Sequence, residues 1–125
     1  SGTSNLMAFS RTHSAVTFEF TGTTRSNIPG SIFDKNTFRC IGFSVTLDGK
    51  TSGSNACESV DKDGDKRMSL FTNVDGKSTR ETVAGTGKFE GMTTTTVVTP
   101  LGPFPQPRAG AFQDCNQQTG TYKLK

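Results

Sequence analysis

The sequence predicts an all-β domain: a closed, antiparallel, up-and-down barrel of about eight strands with little or no helix. Three observations carry that prediction. First, the Asp-Gly pairs Asp48-Gly49, Asp63-Gly64 and Asp75-Gly76 punctuate residues 41–83, each flanked by β-prone residues. Asp-Gly favours a two-residue type I′ hairpin loop, because both central positions need φ > 0 and this turn's twist suits the flanking strands. A succession of such turns predicts a four-stranded meander. Second, only 30% of the chain is hydrophobic and Gly, Thr and Ser are abundant, which fits a sheet with one wet face better than a helical bundle. Third, no segment has a convincing helical pattern, and the seven to nine strands the chain can supply favour closure, which removes exposed edges.

Taken in order, residues 1–10 read as a loose N-terminal arm. Residues 15–20 alternate Val16, Phe18 and Phe20 against Thr17 and Glu19, the period of a half-buried strand. Residues 21–30 are a loop closed by Pro29-Gly30, and 31–36 a short turn or a single helical turn. The meander follows as strands over 38–47, 50–62, 65–74 and 77–83, with Ile41, Phe43, Val45 and Leu47 sharing one face of the first. Its second strand is unusually polar and contains Gly53, which predicts a bulge or a close backbone approach. Residues 88–99 include TTTTVVT, a run of very high β-propensity. Residues 100–107 hold four of the five prolines and read as an excursion at one end of the sheet, since proline has no ladder donor. Residues 109–115 and 119–123 read as a final strand pair around 116–118.

A chain of 125 residues makes one domain, 1–125. Ten Phe, one Tyr and no Trp point to a core or cavity built on Phe rings. The net charge of +3 comes from interspersed charges with no basic stripe, which argues against a nucleic-acid partner. No apolar run is long enough for a membrane span. The chain begins at Ser1 and not at Met, as either a processed mature protein or a trimmed segment would, and the first is compatible with removal of a signal peptide.

A two-residue loop at Asp48-Gly49 places Cys40 directly opposite Cys57 as a non-hydrogen-bonded pair. The Cα atoms of such pairs lie about 4.5 Å apart, just inside the range a disulfide tolerates. A bulge at Gly53 would put the two thiols on opposite faces. The alternatives are a Cys57–Cys115 bridge, which would staple the second meander strand to the C-terminal pair, and three reduced thiols. Any bridge favours an exported protein, periplasmic or extracellular.

Few residues suggest chemistry. Asp61-Lys62-Asp63-Gly64-Asp65-Lys66 has the look of a calcium loop, but Lys66 and Thr72 stand where an EF-hand needs Gly and Glu. A hairpin explains the same residues, with Asp61 opposite Lys66 as an exposed ion pair. With a single histidine, His13, and no CxxC pair, no zinc or other metal site is expected, and nothing calls for a cofactor. No serine sits in a nucleophile elbow. Gly85-Thr86-Gly87 precedes a β-rich segment, so it lacks the helix N-terminus of a phosphate loop. Glu58, Glu81 and Glu90 fall within strand patterns with outward positions as the default; an inward Glu58 or Glu90 would be a candidate acid or base.

Residues 83–91, Val-Ala-Gly-Thr-Gly-Lys-Phe-Glu-Gly, resemble the GGTGxFxGAxG stretch of the allene oxide cyclase and dirigent barrels, which are eight-stranded calycin-like folds. Here Ala84 replaces the first Gly, and Met92-Thr93 stands where a small residue and Gly belong. The wider pattern GKTSGSNAC, DKDGDK, GTGKFEGM and CNQQTGTYKL resembles a family of small uncharacterised exported bacterial proteins. These resemblances imply the barrel, with GTGKF as the turn leading into a strand. No residue here matches the cyclases' catalytic positions. Three functions are then open. The first is a barrel binding a small apolar or aromatic molecule inside, with Phe43, Phe71, Phe89 and Phe104 as the rings assigned to the site. The second is a filled barrel acting as a structural or interaction module, for instance as a homodimer through Phe104. The third is a cyclase or isomerase that needs an inward carboxylate.

Overall fold

A computed structural model describes residues 1–125 and contains nine strands: β1 (Gly2–Ala8), β2 (His13–Thr23), β3 (Thr37–Leu47), β4 (Lys50–Val60), β5 (Lys66–Val74), β6 (Lys77–Gly85), β7 (Thr93–Pro100), β8 (Ala111–Phe112) and β9 (Asn116–Lys123). The only helical element is one 3-10 turn, Gly87–Phe89. All pairings are antiparallel, and the strands form a single sheet in the order β8-β1-β2-β3-β4-β5-β6-β7-β9.

Two of the three Asp-Gly corners are the predicted tight turns. Asp48 and Gly49 have φ of 51° and 79°, and Asp75 and Gly76 have 49° and 80°. Leu47 therefore faces Lys50, and Val74 faces Lys77. At the third corner the loop is wider, because Asp61 acts first. Its carboxylate accepts the backbone N–H of Asp63 at 2.9 Å and of Asp65 at 3.0 Å. The side chain thus builds a local turn of its own kind, and Val60 faces Lys66. The expected Asp61–Lys66 pair does not form; Lys66 binds Glu58 at 2.8 Å instead.

The β3–β4 register runs unbroken from Thr37↔Val60 to Leu47↔Lys50, so the bulge expected at Gly53 is absent. Gly53 is a close approach instead: a Cβ there would run into the Phe43 carbonyl oxygen. The sheet's irregularity falls between Met68 and Ser69, where β6 carries one extra residue. With the register intact, Cys40 and Cys57 meet and form a disulfide, their Cα atoms 4.1 Å apart, while Cys115 is free and exposed.

Both ends of the chain differ from the prediction. Residues 2–8 are not a loose arm but strand β1, paired along its length with β2 from Gly2↔Phe20 to Ala8↔Ser14. Its sequence lacks clear alternation, and backbone bonds to an adjacent strand place it, aided by a turn in which Ser10 Oγ accepts the N–H of Thr12 and His13. The two C-terminal strands do not pair with each other. β8 joins β1 through Gly2↔Phe112, and β9 joins β7 from Thr93↔Lys123 to Pro100↔Asn116.

Those strands are the two edges of the sheet, and the sheet is not closed. It is nevertheless strongly curled. Nine flat strands would hold their edges about 38 Å apart at 4.8 Å per spacing. Phe112 and Asn116 are four Cα steps apart in the chain, so the edges approach within about 14 Å at that point. The result is a curled, open sheet, and residues 101–110 run without strand structure between β7 and the edge strand β8.

Alternation defines the two faces. Phe38, Cys40, Gly42 and Ser44 of β3 point inward, with Cys57 and Ser59 of β4 and Arg67 and Ser69 of β5 in register beside them. The apolar set Ile41, Phe43, Val45 and Leu47 shares a face, as its spacing predicts, but that face is the convex outer one, and Phe43 is 51% exposed. The inner rings Phe18, Phe20, Phe38, Phe71 and Phe112 are only half-buried. Accordingly the chain exposes 8631 Å², against about 6500 Å² for a folded monomer of its mass.

Candidate functional site

Three groups occupy the inner face. The first is an aromatic wall on β2, β3 and β8. Phe20 stands at its centre, with ring centroids 6.0 Å from Phe18, 6.0 Å from Phe38 and 5.8 Å from Phe112, the last two edge-to-face.

The second group is a pair of arginines. Arg67 on β5 is 3% exposed, and its guanidinium carbon lies 4.5 Å from the centre of the Phe33 ring and 5.6 Å from that of Phe89. Its Nε and Nη1 are buried with no hydrogen-bond partner. Arg80 on β6 faces Phe71 in register, 5.9 Å from its ring, and donates from Nε and Nη2 to Ser69 Oγ and from Nη1 to Gln118 Oε1. Burial pushes the Arg67 guanidinium down to about 9; repulsion from Arg80 adds to this, and Asp61 opposes it. Arg80 is lowered by burial as well. Both stay charged at neutral pH, and no Asp or Glu stands on the inner face of any strand.

The third group closes one end. Phe33, from the loop between β2 and β3, meets Tyr122 of β9 edge-to-face at 4.9 Å, so this loop spans from the second strand to the last. The segment after β6 folds onto the same end and buries Phe89 to 1% and Met92 to 4% exposure. Lys88 pins it there: its ammonium reaches Asp61, Asp63 at 2.8 Å and Asp65 at 3.7 Å. The three carboxylates that look like a calcium loop are thus gathered around a lysine. Lys88 is raised by its hydrogen bonds to Asp61 and Asp63, and Asp61 is lowered chiefly by Lys88.

The rings singled out from sequence do not converge. Phe71 is inward beneath Arg80, Phe89 is in the end plug, Phe43 is on the outer face, and Phe104 is exposed in the proline-rich segment. Glu58 points outward, paired with Lys66 and lowered by it, and Glu90 is exposed beside the plug. Sequence reasoning missed Arg67 and Arg80. The available signal was alternation: Arg67, Ser69 and Phe71 share a face, but only a correct register at the third corner shows which one.

Two open clefts accompany these groups. One, of about 490 Å³, lies at the ends of β2, β3 and β4, where Gly22 and Phe38 line it. The other, of about 350 Å³, runs over Ile41, Ala56 and Met68 and touches Arg67. No helix is long and apolar enough to cross a membrane. The fold and site define an all-β protein whose curled sheet carries a disulfide and an inner face of half-buried rings, one buried arginine and one half-buried arginine. No family model, curated protein or solved structure matches the chain.

Proposed function

We propose that this is an exported binding protein that holds a small apolar or aromatic molecule against the inner face of its sheet, as a barrel left open along one seam. The carrying observation is the wall of Phe18, Phe20, Phe38 and Phe112, whose rings touch one another yet stay half-buried. Rings in a filled interior would be covered; rings facing a ligand site are covered only when it is occupied. The Cys40–Cys57 bridge supports export, and the likeness of residues 83–91 to the calycin-like barrels supports the architecture.

Titration with the neutral dye N-phenyl-1-naphthylamine tests the reading. Saturable one-to-one fluorescence enhancement is expected, with Phe20→Ala weakening binding about tenfold through lost ring contact. Absence of saturable binding to the folded protein refutes it.

A second reading has its own support. Ile41, Phe43, Leu47, Met68 and Leu70 leave an apolar stripe exposed on the outer face, which suits an interaction module or a homodimer. Light scattering at micromolar concentration decides: a dimer lost on Phe43→Lys supports it, and a monomer removes it.

A further inference from the structure

We infer that the bound molecule is an organic anion, with its acidic head group held between Arg67 and Arg80 and its apolar body against the phenylalanine wall. The inference rests on the interior-binding reading above and names the class of ligand.

The argument begins with charge. Arg67 is 3% exposed, makes no salt bridge, and leaves Nε and Nη1 without acceptors. A buried guanidinium in that condition is costly unless an acceptor reaches it. The protein supplies none. Every strand glutamate lies on the other face: Glu19 holds Arg39 at 2.8 Å, Glu58 holds Lys66, and Glu81 is exposed. Asp61, the carboxylate whose field reaches Arg67, is already engaged by Lys88.

Position supports the same conclusion. Phe38, Ser59 and Arg67 follow one another across β3, β4 and β5, and Gly42, Asn55, Phe71 and Arg80 do so across β3 to β6. Arg67 is thus two strands, about 10 Å, from the aromatic wall. Serines and the disulfide make up the floor between them. Arg80 donates to Ser69, two residues along from Arg67 on the same face. The two guanidiniums lie close enough for their charges to repel. An oxyanion between them would relieve that repulsion, accepting from the free Nε and Nη1 of Arg67 and from the N–H groups of Arg80 that Ser69 and Gln118 leave over. Phe33 and Phe71, stacked on these cations, hold them in place.

A matched pair of dyes separates the two readings. N-Phenyl-1-naphthylamine is neutral, and 8-anilino-1-naphthalenesulfonate has the same rings plus a sulfonate. Both are titrated against the full chain, Arg67→Gln and Arg80→Gln, with a melting curve for each variant. The sulfonate is expected to bind at least tenfold tighter than the neutral dye. Each variant should lose about tenfold in sulfonate affinity, the worth of a charged hydrogen bond, and keep the neutral affinity within about twofold. Equal affinity for the two dyes, or sulfonate binding unchanged in both variants, overturns the inference while leaving apolar binding intact. Sulfonate binding that depends on the arginines, with none of the neutral dye, upholds the anion site and refutes the apolar reading. If Arg67→Gln does not fold, Arg80→Gln decides alone.

Discussion

Removing the Cys40–Cys57 bridge should lower stability by an amount set by the loop it closes. The two cysteines are 17 residues apart in sequence. Chain-entropy arguments assign a loop of that size about 3 kcal/mol at 25 °C. Unfolding a chain of this length releases about 260 cal/mol/K, so the melting temperature should drop by about 12 °C. Reduction with a phosphine preserves side-chain volume and isolates the constraint; the Cys40→Ala/Cys57→Ala double variant adds the loss of two buried sulfurs and should melt slightly lower still. Calorimetry of the three forms reads the effect. Alkylation provides the control: the native chain should take one label, on exposed Cys115, and the reduced, unfolded chain three. Melting within about 2 °C of the oxidised protein, or a native label on Cys57, would show that the β3–β4 hairpin is not locked in this register.

Four further outcomes follow from the geometry. Lys88→Met strips the cation from Asp61, whose side chain is only 4% exposed, and should lower the urea midpoint, by less than the loss of a fully buried pair because Lys88 itself is 29% exposed. Because Asp61 is lowered in the folded state, its contribution is present above its ordinary value near 3.8 and fades as the pH falls below that; Asp61→Asn should flatten this acid limb, and an unchanged limb would count against the pin. Arg67→Met should stabilise ligand-free protein at pH 7 by about 1–2 kcal/mol after subtracting the ring contacts, read by urea unfolding. Above about pH 9 the folded chain releases the Arg67 proton while the unfolded chain keeps it, so the wild type should gain on the variant there. Gly53→Ala should cost about 1–3 kcal/mol, because the added methyl meets the Phe43 backbone.

Much of this architecture is local and was legible in the residues. Asp48-Gly49 and Asp75-Gly76 dictate their corners because few other pairs accept positive φ at both positions. The first of them sets the register that brings Cys40 to Cys57. That the chain is all-β, and that residues 101–107 stay out of the sheet, follow equally from residue type; Pro100, expected outside, ends β7 opposite Asn116 on the edge strand. Where local rules compete, tertiary contacts decided. At Asp63-Gly64 the Asp61 carboxylate and the distant Lys88 drew the loop wider, moving the register by one and choosing which side of β5 faces in. Sheet order likewise depends on partners far apart in sequence, which is why β8 and β9, three residues apart, sit on opposite edges. The arginine pair belongs to this second category. Alternation assigns a residue to a face, but only the folded sheet says that this face is the inner one and that no carboxylate shares it.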